Sequence, residues 1–220
     1  MRIVEPIPAP AFVLGSSQGE LLEKLYALYR ELDLKIDAWQ QLSRTACPAG
    51  CGACCARYEP SVLPLEGMAV AAFISIPVLE GPPEPEGTSC VFFDPHNPHH
   101  CTVYAARPLE CRLFAFSAAR GKDGRLRFRL CRDMPGPEPR AKSEEALLSS
   151  YGALPPAMAD FSTRLQTLAD GPVLPLRDQA RLAWKRLELL RRLTAQEPGA
   201  AAEWVVTEAA PGYHGSEGAK

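Results

Sequence analysis

Cys47-Pro-Ala-Gly-Cys51-Gly-Ala-Cys54-Cys55 places four thiols within nine residues. Gly50 and Gly52 permit the tight turns that bring several sulfurs round one point, so this stretch reads as a knuckle and not as a strand. Four single cysteines follow at Cys90, Cys101, Cys111 and Cys131. A compact segment that supplies some ligands, with distant ones closing the shell, is the pattern of a metal site. Soft thiolates select zinc, Cu(I) or iron–sulfur clusters over magnesium or calcium.

The surroundings favour reduced thiols. Met1 to Gly15 holds one arginine, three prolines and no apolar run long enough for a signal-peptide core. Ala69 to Pro77 is far shorter than a membrane helix requires. The expectation is a cytoplasmic protein, where eight cysteines serve metal or redox chemistry more often than disulfides. The 220 residues are 46% hydrophobic and 23% charged, the balance of one globular domain. A net charge of −2 supplies no global field toward nucleic acid or anionic membrane.

Outward from the knuckle, helical periodicity dominates. Ser17-Gln-Gly-Glu20 has the spacing of a capping box and opens a helix expected to run to about Arg44, with Leu21, Leu25, Leu28, Leu32, Ile36 and Trp39 on one stripe. Leu65 to Ile76 reads as a short apolar helix and Pro77 to Gly87 as a loop. Cys90-Val-Phe-Phe and Cys101-Thr-Val-Tyr are short β-like runs, and Pro108 to Phe114 holds one or two helical turns. Ala115 to Ala119 and Arg125 to Leu130, joined by Gly121-Lys-Asp-Gly124, predict a β-hairpin. Ser143 to Tyr151, Pro155 to Ala169 and Leu176 to Thr194 predict three helices that pack on the first. The fold class expected is mainly α: an extended segment 1–15, one small helical domain 16–194 with a short β-hairpin and a metal-organised cysteine knuckle, and a flexible tail 195–220 in which Trp204-Val-Val docks. Metal would organise the proline-rich half of that core, so chelation should destabilise the fold.

The block Cys101-Thr-Val-Tyr-Ala-Ala-Arg107-Pro108-Leu-Glu-Cys111-Arg112-Leu-Phe114, with Cys47-x3-Cys51-x2-Cys54-Cys55 and Cys90-Val-Phe-Phe before it, resembles the YkgJ-type cysteine-cluster proteins. The resemblance spans Cys47 to about Cys131 and implies zinc or iron chelation in a small bacterial cytoplasmic protein. That family is in turn similar to part of the flagellin lysine N-methylases, in which a comparable cysteine set is associated with an iron–sulfur cluster. The His-rich loop Asp94-Pro-His-Asn-Pro-His-His100 departs from the pattern and leaves the ligand set open.

Cys47, Cys51, Cys54, Cys101 and Cys111 are the leading ligand candidates, followed by Cys55 and Cys90, with Cys131 and His100 as further ones. Adjacent Cys54 and Cys55 direct their sulfurs apart in most backbone conformations, which assigns one of them to a second site or to the core. Arg107 and Arg112 bracket Cys111, where guanidinium groups would offset the charge of metal-bound thiolates, and Tyr104 could donate its hydroxyl to a sulfur. His96 and His99 share the loop with His100.

Several functions fit. The first is an iron–sulfur protein, [4Fe–4S] above all, or a zinc protein, acting in redox, metal handling or assembly. The second is a SAM-dependent modifying enzyme resembling the lysine N-methylases. The third is a structural-zinc adaptor that binds RNA or protein through Arg125, Arg127 and Arg129, which alternate with Leu126, Phe128 and Leu130 on one strand face. Cys47-x3-Cys51-x2-Cys54 is also the radical SAM triplet, but the repeated strand–helix pattern of those barrels is missing. No phosphate-binding loop, nucleophile elbow, His-Glu-x-x-His or dinucleotide fingerprint appears, so hydrolase and nucleotide-enzyme readings have no motif.

Overall fold

The computed structural model describes residue 13 and residues 16–48, 51–74, 89–97, 99–136 and 141–195. The N-terminal segment apart from Val13, Gly50, the loop at 77–87 and the tail beyond Ala195 fall outside them. The described residues are mainly helical, with small sheets. No helix among them is long and apolar enough to cross a membrane.

Helix α1 (Ser17–Ser43) buries Leu22, Leu25, Leu28, Leu32, Ile36 and Trp39. Its cap lies one residue before the expected box: Ser16 Oγ accepts from the Gly19 amide at 3.1 Å, and Glu20 completes an acidic first turn. Arg44 ends the helix in a left-handed conformation at φ 53°. Ser43 Oγ donates back to the Trp39 carbonyl at 2.7 Å, and the Trp39 ring meets Phe128 and Tyr151 edge-on. The chain therefore leaves α1 for Cys47 from a fixed point.

Helix α2 (Pro64–Ile74) is apolar all round because it is central. It packs chiefly against α6 (Leu176–Ala195), while α1 takes α5 (Met158–Leu168) as its partner. Helix α5 lies on α1 as expected and Tyr151, from the first of the three expected C-terminal helices, meets Trp39, but α6 lies chiefly on α2: Gly67 of α2 lets the backbone of Gln179 approach so closely that a Cβ would stand 2.9 Å from its carbonyl oxygen. A two-residue antiparallel ladder, β1 (Ser61–Val62) with β5 (Leu174–Pro175), fastens the starts of these two helices and was not legible as a strand pair.

The predicted hairpin is present as β2 (Ala118–Arg120) and β3 (Leu126–Arg129), turning through Gly124 at φ 75°. Its first strand starts later than expected because Ser117 and Phe116 donate to Leu113 in a turn that closes the short helix α3 (Leu109–Leu113). A third strand, β4 (Ala141–Ser143), pairs with β3 and leads into α4 (Glu144–Tyr151) through the cap Ser143.

Candidate metal centre

Pro48 and Cys54 carbonyls accept from the Cys51 and Arg57 amides at 3.0 and 3.1 Å, so the knuckle is a run of turns. Gly52 serves a purpose other than the turn expected of it. A Cβ there would fall 2.3 Å from that of His100, so only glycine admits the neighbouring loop. His100 sits at φ 50° with its ring against Phe93, packed beside the knuckle and not on the cavity wall described below.

The expected β-like runs reduce to one bridge. The Cys55 carbonyl accepts from the Cys90 amide at 3.0 Å, Phe93 bridges Cys101 antiparallel, and Thr102 donates to the Phe92 carbonyl at 3.0 Å. Asp94 and Asn97 side chains accept from the His96 and His99 amides and shape the intervening loop. Knuckle, Cys90 and Cys101 are thus joined by main-chain bonds.

The last block is held from behind. Arg112, 3% exposed, points into the core and not toward the thiols. It pairs with Asp33 of α1 at 2.5 Å, donates to the Arg107 and Ala105 carbonyls at 2.9 and 2.7 Å, and lies over the Tyr29 ring. Glu66 of α2 accepts from the Leu63 amide, the Leu109 amide and the Tyr29 hydroxyl. Together they fix the 3-10 turn Tyr104–Ala106 and α3, which carry Arg107 and Cys111.

These connections gather all eight cysteines onto the wall of one cavity of about 480 Å³. None is in a disulfide. Cys131, the least expected member, lies there too, 3.9 Å from Asp133, which pairs with Arg57 just past the knuckle. Cys54 and Cys55 share the cavity with their sulfurs 3.9 Å apart, close to the edge of about 3.8 Å that a tetrahedral zinc site with 2.3 Å bonds would have. Even so, among the described residues no three His, Cys, Asp or Glu side chains already form a metal shell. The thiols surround a space; they do not converge on a point.

Their ionisation follows from that setting. The hydrogen bond with Cys55 pulls Cys101 below the ordinary thiol range and, reciprocally, pushes Cys55 up to about 11. The thiol of Cys54 is raised by its hydrogen bond with Cys55 and by burial. Burial raises Cys90 to about 11 and lifts Cys111 well above its usual value, against the pull of Arg107. Without metal Cys54, Cys55, Cys90 and Cys111 are held as neutral thiols, and a bound cation would displace their protons.

The wall also holds Arg107, Tyr104 and His99, which the sequence singled out, and Tyr58, Glu110, Phe114 and Asp133, which it did not. His99 stacks on Tyr104 at 4.2 Å and Arg107 covers the same ring at 4.1 Å, forming a short column on the wall. Tyr58 donates to Glu110 at 3.0 Å beside Phe114, and these stand on the wall with Asp133. Only proximity in the fold selects Tyr58, Glu110, Phe114 and Asp133, because each is an ordinary residue in its own segment. Arg127 emerges on the exposed face of β3 as expected and Arg125 is exposed just before that strand, but both have partners: Asp123 at 3.0 Å and Glu145 at 2.8 Å, respectively. Arg129 is exposed on the same face.

Residues 46–133 match the family CxxCxxCC, described as "Putative zinc- or iron-chelating domain". The match covers the knuckle, the histidine loop, the Arg107 block and Cys131. No curated protein and no solved structure matches the chain.

Proposed function

We propose that the protein is an iron–sulfur protein whose cluster occupies the thiol-lined cavity, a reading supported by the match of residues 46–133 to a family described as a "Putative zinc- or iron-chelating domain". The observation that carries this reading is the size of the partly open cavity that all eight thiols line. Four sulfurs round one zinc ion leave almost no cavity, whereas eight cysteines here line about 480 Å³. An inorganic core of several iron and sulfide ions matches an enclosure of that kind better than a lone ion.

The donor set suits the group. Cys54, Cys55, Cys90, Cys101 and Cys111 influence one another's ionisation, and Cys47, Cys51 and Cys131 complete the wall. Arg107 lowers the cost of ionising Cys55 and Cys111. A bound cluster would supply one-electron redox capacity, and the chain's own part is to hold it, set its charge environment and shield it from water.

Cysteine replacement tests the reading. Cys101→Ser and Cys111→Ser should each lose iron and acid-labile sulfide while far-UV circular dichroism stays near that of the native protein. Full retention of both elements in the two variants would refute it. A colourless protein with stoichiometric zinc would favour the structural-zinc adaptor, and saturable SAM binding the modifying enzyme.

A further inference from the structure

Arginines in this fold are mostly paired with carboxylates: Arg57 with Asp133, Arg112 with Asp33, Arg125 with Glu145, Arg164 with Glu31 and Arg177 with Glu59. Arg107 differs. Among the described residues no carboxylate reaches it, and its Nε is buried without a hydrogen-bond partner. Yet it lines the cavity, where its charge acts on Cys55 and Cys111 without a hydrogen bond to either. Arg107 is only partly buried, but its Nε is shut off from water without an acceptor, a cost that a ligand oxygen would remove.

We propose that the cavity also seats a small ligand bearing a single oxyanion, carboxylate or phosphate, which pairs with Arg107 alongside the thiols. The guanidinium is prepared for this. One face is covered by Tyr104, itself backed by His99, and its main-chain carbonyl is gripped by Arg112 Nε. A planar fork fixed at its base is the geometry that recognises an oxyanion with two parallel hydrogen bonds.

Volume and polarity define the ligand further. Small-molecule pockets run from about 300 to 1,000 Å³, and about 480 Å³ lies inside that range. At roughly 30 Å³ per water-sized group, an eight-atom inorganic core leaves about half of it free. Val103, Phe116 and Leu176 offer apolar wall to an organic remainder. Glu110 and Asp133 on the same wall would repel a second negative charge, which selects against polyanions. The proposal rests on the metal reading only in placing the ligand beside a bound core.

Equilibrium dialysis at low ionic strength, with labelled acetate and labelled inorganic phosphate as separate probes, tests it on the full chain as isolated. Iron and zinc per chain are measured in the same samples. The expected result is saturable one-to-one binding of at least one probe, about tenfold or more weaker in Arg107→Gln than in native protein compared at equal metal content. The preferred probe distinguishes a carboxylate ligand from a phosphate. Arg107→Lys, which keeps the charge but not the fork, should bind between the two, and serves if Arg107→Gln does not fold. No saturable binding of either probe would overturn the proposal, as would equal binding in the variants. Anion binding that falls in Arg107→Gln only in proportion to lost metal would also overturn it, because Arg107 would then serve the thiolates alone. A metal-free protein that still binds acetate through Arg107 would sink the metal reading and leave this one standing.

Discussion

Asp33 and Arg112 form a buried ion pair whose remaining donors are spent on the Arg107 and Ala105 carbonyls. Removing one partner strands the other charge in the core. Asp33→Asn should therefore cost about 3 to 5 kcal/mol in urea unfolding. A cost near zero would mean that Arg112 finds another acceptor. Glu66 is a second such residue: both carboxylate oxygens accept, so an amide would aim its NH2 at a donor. Glu66→Gln and Glu66→Ala should each destabilise by about 1 to 3 kcal/mol, whereas a Gln variant of native stability would show that its acceptors are dispensable. The sequence made Arg107 and Arg112 look equivalent, since both flank Cys111. The distinction lies in which side of a one-turn helix faces α1, and a motif of spacings carries no information about that.

Among the elements, the knuckle and the histidine loop depend on each other through one contact. Gly52→Ala would place a methyl group against the His100 Cβ and should reduce metal content by opening the cavity wall. Adding His100→Gly removes that obstacle and relieves the left-handed φ, so the double variant should regain much of the metal. Metal content that Gly52→Ala leaves unchanged would show that the wall yields at no cost. Helices α1 and α5 are bridged on the surface by Glu31 and Arg164 at 2.6 Å. The bond to Arg164 holds the Glu31 carboxyl down to about 2. A depressed carboxylate stabilises above its unfolded value near 4.5 and loses that contribution as pH falls toward about 2. The pair is largely exposed, so Arg164→Ala should cost less than about 1 kcal/mol at neutral pH, and the difference from the native protein should vanish at pH 2. A difference that persists at pH 2 would place the effect in packing. The long helices were legible because their apolar stripes extend over many turns. The ladder of β1 with β5 and the strand β4 were not, because two or three residues contain no period.

At the scale of the molecule, the close crossing of α2 and α6 brings Glu66 to the Leu109 amide and Leu176 to the cavity wall. Gly67→Ala should spread that crossing and cost about 1 to 3 kcal/mol, read as a lower unfolding temperature; an unchanged temperature would mean that Gln179 can give way. The buried links from Asp33 and Glu66 also hold the Cys111 segment through protein contacts, so chelation, expected to destabilise the fold, should act chiefly on the knuckle. The eight cysteines were visible in the sequence as a metal set, and the fold places every one of them round a single cavity. Neither their spacing nor the helical periods announced the size of that cavity, which depends on side chains from distant segments. The most direct test of its content is anaerobic purification followed by a visible absorption spectrum and assays of iron, acid-labile sulfide and zinc. A brown protein with iron and sulfide in equal amounts, about four of each per chain for a [4Fe–4S] core, is the result expected. A colourless protein without iron, whether it holds zinc or eight freely titrating thiols, would contradict the account.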